Sequence, residues 1–92
     1  MNPQAIAVVT GGAKGIGWAC AEVLIEAGHR VVIVDLHADA ARAAADVIGA
    51  TTVACDIGNA EAVADTFARI ASDEGPIGVL VNNAGLALPG DF

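Results

Sequence analysis

Two hydrophobic rhythms alternate along this chain of 92 residues. Short apolar runs at Ala5 to Val9, Val31 to Val34, Thr51 to Cys55 and Val79 to Val81 have the length and β-branched content of buried strands. Between them the spacing turns helical. Ile16, Ala19, Cys20, Val23, Leu24 and Ala27 recur so as to predict one apolar helix face, with Gly28 as its C-terminal stop. Ala40 to Ile48 is an alanine-rich helical stretch stopped by Gly49. Asn59 reads as the N-cap of a helix from Ala60 to about Ala71, with Val63, Phe67 and Ile70 on its buried side. "SDEGPIG", Ser72 to Gly78, reads as a turn or loop.

The predicted order is β-α-β-α-β-α-β. Strands separated by helices pair in parallel, because each helix returns the chain to the same end of the sheet. The expected fold class is therefore α/β, a doubly wound parallel sheet with strand order 3-2-1-4. In that order the fourth strand is an edge, and a bare apolar edge such as "VLV" is an aggregation hazard. The expectation is that residues 1–92 are the first part of one domain in a longer protein.

Composition sharpens this picture. The apolar fraction is 55% while aromatics are 3%, so the excess is aliphatic and fits parallel strands buried under helices. The formal charge of −7 argues against nucleic acid and against an anionic membrane surface as partners. No stretch has the length of a membrane span, and the start "MNPQ" has no basic region of a signal peptide. Cys20 and Cys55 lack metal-ligand spacing and read as buried free thiols of a reducing compartment, hence a cytoplasmic location. His29 and His37 read as solvated loop residues, and Trp18 as helix-surface packing.

The candidate chemistry lies in "TGGAKGIG", Thr10 to Gly17, between the first strand and the first helix. Unpaired N–H groups and the helix dipole make a helix start an anion site suited to phosphate. Glycines let a pyrophosphate approach the backbone. The spacing is T-G-x-x-x-G-x-G, on Thr10, Gly11, Gly15 and Gly17. It is neither G-x-G-x-x-G nor a P-loop, because Cys20 stands where the first needs glycine and Gly15 follows Lys14. Asp35 closes the second strand, where a carboxylate can accept hydrogen bonds from both ribose hydroxyls of an adenosine and repel a 2′-phosphate.

With "CDI" (Cys55 to Ile57) ending the third strand and "NNAG" (Asn82 to Gly85) after the fourth, these motifs resemble the short-chain dehydrogenase/reductase family, in its single-domain branch. The resemblance runs through the whole chain and implies a Rossmann-type fold. It implies that Gly11, Ala13, Lys14, Gly15, Ile16 and Gly17 surround the pyrophosphate and adjoining ribose, with Asp35 and Leu36 at the adenosine ribose. Asp56 would reach the adenine amino group and Ile57 pack on the ring. Asn83, Ala84 and Gly85 would lie under the nicotinamide ribose, with Asn82 bracing the central strands. Asp56 has the competing reading of a helix-capping or turn carboxylate, and Asn82 and Asn83 that of ties between strand ends. The implied cofactor is NAD rather than NADP, since Leu36 and not an arginine follows Asp35. Lys14 pulls the other way, because a basic residue there contacts the 2′-phosphate in relatives that use NADP.

The resemblance also implies hydride transfer between nicotinamide and an alcohol or ketone, in a homo-tetramer or homo-dimer. The tyrosine and lysine of that chemistry have no counterparts here. The chain has no tyrosine, its one lysine is Lys14, and its one serine, Ser72, lies away from the glycine loop. Two readings follow: the cofactor-binding half of a complete oxidoreductase, or a stand-alone nucleotide-binding module without catalysis. The first predicts an intact mass well above 9.1 kDa and a reading frame that continues past Phe92 into a Tyr-x-x-x-Lys; a 9.1 kDa product in cells counts for the second.

Overall fold

The computed structural model describes residues 5–13 and 15–82. Four strands and three helices alternate: β1 (Ile6–Thr10), α1 (Gly15–Glu26), β2 (Arg30–Asp35), α2 (Ala38–Ile48), β3 (Thr51–Ala54), α3 (Ala60–Asp73) and β4 (Ile77–Asn82). All pairings are parallel and the sheet order is β3-β2-β1-β4. The predicted doubly wound α/β fold is therefore present, as the part of a Rossmann-like sheet that these residues form.

The order dictates the layers. Right-handed crossovers from β1 to β2 and from β2 to β3 place α1 and α2 on one face. The chain then returns past β1 to β4, and the reversed direction puts α3 on the other. Strand alternation follows this division. Ala7, Val9, Val31 and Ile33 join Ala21 of α1 and Ala45 of α2 in one core. Ile6, Val8, Val32 and Val34 join Ile70 of α3 and Cys55 in the second. Every residue of β1 is buried, as a central strand covered on both faces must be.

Helix ends are built from short-range chemistry. At the end of α1, Gly28 takes φ +98° and donates to the Ile25 carbonyl, while His29 N–H donates to Leu24. At the end of α2, Gly49 takes φ +85° and donates to Asp46, while Ala50 donates to Ala45. Both are Schellman caps, which need a residue tolerant of the left-handed region. Asn59 Oδ1 accepts from Ala62 N–H at 3.0 Å, the N-cap expected for α3.

Three expectations change. The apolar stripe predicted for α1 is not the face it buries. Gly17 and Ala21 are the buried residues, with Trp18, Leu24 and Ile25 packed beside them. Ile16 and Val23 remain 74% and 65% exposed. They line an apolar groove of about 380 Å³ with Ala19, Cys20, Leu24 and Val81 of β4. Cys20 is accordingly half-buried, and both cysteines are free thiols. Second, Ile77 and Gly78 belong to β4 rather than to a loop. The Pro76 carbonyl accepts from Ile6 N–H at 2.8 Å. The register with β1 then slips past Gly78, where an added Cβ would lie 2.9 Å from Ala5 Cβ. Third, β3 ends at Ala54, and α2 and α3 run from Ala38 and to Asp73, each longer than predicted.

The two sides of α1 should respond differently to substitution. Ala21→Leu overpacks the sheet interface and should cost about 1–3 kcal/mol. Val23→Ser should change stability by less than about 0.5 kcal/mol. Urea denaturation of both variants checks this, and the reverse ranking would restore the stripe predicted from sequence.

Candidate functional site

In an open α/β sheet, the crevice beyond the strand C-termini opens where the strand order reverses. Here that point lies between β1 and β4, whose last residues, Thr10 and Asn82, are register partners. Thr10 Oγ1 donates to Asn82 Oδ1 at 3.1 Å and lies 3.3 Å from the Val81 carbonyl oxygen. This ties the two strand ends on either side of the switch, the bracing role expected of Asn82.

From Thr10 the chain enters the glycine loop. Gly11 has φ +66° and donates its N–H to the Val34 carbonyl at 2.8 Å, so the loop begins anchored over β2. Gly12 is buried, and a Cβ there would lie 3.0 Å from Ile33 Cγ2 and 3.1 Å from Val9 Cγ1. Both neighbours are fully buried and have little room to yield. Gly12 is thus a glycine because the core reaches up to the loop. The motif spacing treats it as a free position, so sequence reasoning missed it.

Gly15 has φ +65°, with open space where a Cβ would point, and it begins α1. Ile16 is exposed and Gly17 is buried toward the sheet. Lys14, Asn83, Ala84 and Gly85 lie outside the described residues.

Asp35 ends β2 beside this loop. Its Oδ2 accepts from Ala13 N–H at 3.2 Å, and its Oδ1 accepts from His37 N–H at 2.8 Å. Both carboxylate oxygens are held by backbone amides, one from the loop and one from the turn into α2. The side chain faces a recess of about 350 Å³ lined by Ala13, Asp35, His37, Ala40 and Ala41. Leu36 beside it is 59% exposed.

Asp56 is exposed, and its Oδ1 accepts from Gly58 N–H at 2.9 Å in the turn before α3. This is the turn carboxylate weighed above. Ile57 is half-buried against the α3-side core. Trp18 packs on the opposite core, as helix-surface packing predicts. Among the described residues, no group of three His, Cys, Asp or Glu side chains gathers to hold a metal. No helix among them is long and apolar enough to cross a membrane.

A glycine loop at the switch point, followed by a strand-end carboxylate on the same crevice, marks a class of α/β sheet built around the start of its first helix. The particular family follows from comparison. The family model described as short chain dehydrogenase matches residues 5–92, and the chain belongs to that family. A sorbitol dehydrogenase of Cereibacter sphaeroides is 42% identical over 87% of this chain and 32% of its own length. A bovine (Bos taurus) 15-hydroxyprostaglandin dehydrogenase [NAD(+)] is 38% identical over 88% of this chain and 33% of its own. Among solved structures, a metagenomic short-chain oxidoreductase in complex with NADP superposes with a TM-score of 0.82 at 36% identity, covering 90% of this chain and 40% of that one. The chain spans about a third of the length of the curated relatives it matches.

Gly12→Ala should destabilise the domain by about 1 kcal/mol or more, because neither Ile33 nor Val9 can yield without straining the core. Thermal unfolding of the variant measures this. An unchanged midpoint would show that the loop and core are not in contact as described.

Proposed function

We propose that these residues are the dinucleotide-binding part of an NAD(P)-dependent oxidoreductase, with NAD the preferred cofactor. The whole protein would move a hydride between the nicotinamide and an alcohol or ketone. The carrying observation is Asp35, a carboxylate held by the glycine-loop amide of Ala13 on a recess wide enough for part of a nucleotide.

The residues fit the cofactor on physical grounds. The loop from Gly11 to Gly17 would hold the pyrophosphate at the start of α1, where N–H groups without helical partners favour an anion. Asp35 would accept from the adenosine ribose hydroxyls, with Leu36 alongside. Its present bond to Ala13 sets its place at the loop without using every acceptor site on its two oxygens. Asp56 and Ile57 are proposed at the adenine, and Lys14, Asn83, Ala84 and Gly85 along the rest of the cofactor. The nicotinamide, when bound, supplies the hydride chemistry. This chain's residues bind and orient it. The general acid/base pair would come from polypeptide beyond residue 92, so the 92 residues alone should bind cofactor without turning over substrate.

Relatives name both cofactors, NAD for the prostaglandin dehydrogenase and NADP for the metagenomic oxidoreductase. Family membership therefore leaves the choice to local chemistry. A carboxylate at the ribose repels a 2′-phosphate. A cytoplasmic location and a homo-dimer or homo-tetramer complete the proposal.

At about pH 8, Asp35→Ala should weaken NAD binding about tenfold or more, the worth of hydrogen bonds to a charged group. It should weaken NADP binding less. Calorimetry checks both. NADP binding more tightly than NAD to the unsubstituted protein would overturn the assignment of Asp35.

A further inference from the structure

The glycine loop is tied to the end of β2 at two backbone amides, by two different kinds of bond. Gly11 N–H donates to the Val34 carbonyl at 2.8 Å, a backbone bond that no side chain supplies. Ala13 N–H donates to Asp35 Oδ2 at 3.2 Å, a bond that needs an acceptor in the side chain of residue 35. Between them, Gly12 lies against Ile33 and Val9 of the core. Ala13 is the last described residue before α1, which begins at Gly15 with open space where a Cβ would point. The core thus fixes the start of the loop, and Asp35 holds the residue nearest the helix start that would face a pyrophosphate.

The carboxylate has capacity for this and for a ribose. Oδ1 accepts from His37 N–H at 2.8 Å and Oδ2 from Ala13 N–H. A carboxylate oxygen offers about two acceptor sites, so each keeps room for a hydroxyl. A loop held in place before the ligand arrives loses less conformational freedom on binding, and the ligand binds more tightly for it. Charge by itself acts the other way. Asp35 puts a negative charge beside a site for an anion, so removing it relieves a repulsion.

We propose that Asp35 is a positioning residue for the glycine loop: through Ala13 it strengthens the hold on a pyrophosphate even in a ligand that has no ribose hydroxyls. This rests on the nucleotide-binding reading above and deepens it. One side chain then couples the ribose end of the site to its phosphate end.

The test titrates ADP and 2′,3′-dideoxyadenosine 5′-diphosphate into the intact protein by calorimetry, with hydrogen exchange read at single amides. In Asp35→Ala the dideoxy ligand should bind about fivefold more weakly, the scale of ordering one further backbone residue. The Ala13 amide should exchange about tenfold faster, the scale of a lost bond to a charged group. Exchange at His29 and Ala50, which close the caps of α1 and α2, should not change, whereas a general loosening of the fold would speed both. Asp35→Asn keeps a carbonyl oxygen for Ala13 and should bind the dideoxy ligand within about twofold of the unsubstituted protein. Equal or tighter binding of the dideoxy ligand by Asp35→Ala overturns the proposal, as does a failure of Asp35→Asn to restore it. Should Asp35→Ala not fold, exchange in the unsubstituted protein decides: an Ala13 amide as fast as in an unfolded chain overturns the proposal. If ADP binds and only the dideoxy result fails, the positioning role alone is lost. If ADP does not bind the unsubstituted protein, the nucleotide-binding reading fails and this proposal fails with it.

Discussion

Burial of β1 on both faces is the constraint from which the rest of this structure follows. A strand whose five residues are all buried needs a cover of helices above and below. Parallel pairing supplies those helices through crossovers, and their fixed hand allows both faces to be covered only if the chain reverses direction across the sheet. That reversal puts β2 on one side of β1 and β4 on the other. It also opens the crevice above Thr10, so the location of the site is a consequence of how the core is closed.

The same constraint shapes the loop. Val9 and Ile33 fill the core up to the end of the sheet, and their methyl groups leave no room for a Cβ on Gly12. Gly17 and Ala21 present little side chain toward the sheet, which suits a helix beginning directly over the loop. Asp35 then joins three pieces of the molecule. It ends β2, accepts from the loop at Ala13 and accepts from the turn that starts α2 at His37. A carboxylate held by two amides is oriented in advance of any ligand.

Much of this was legible in the residues. β-branched runs marked the four strands, because such side chains suit a pleated, buried surface. Gly28, Gly49 and Asn59 marked helix ends, because left-handed backbone and side-chain capping are short-range chemistry that neighbours in sequence can specify. The glycine spacing and Asp35 marked the proposed cofactor site for a similar reason, since the residues that shape it are close along the chain. The buried face of α1 was not legible. Nearly all of Ile16 to Ile25 is apolar, so more than one stripe satisfies helical periodicity, and only the position of the sheet selects Gly17 and Ala21. The start of β4 was hidden for the opposite reason. Pro76 and Gly78 read as turn residues, yet a strand can begin after a proline and slip its register at a glycine.

The sequence by itself determined the order of elements, their parallel pairing, the reversal that makes the crevice and the glycine loop with its carboxylate. These are set by local propensity and by rules of chain connection that need no knowledge of packing. The tertiary structure alone decided which side of α1 is covered and why Gly12 has no side chain. It also decided that His37, a loop residue by sequence, shares a recess with Asp35. Those depend on which surfaces meet across the fold, and residues far apart in the chain carry no mark of their meeting until the sheet brings them together.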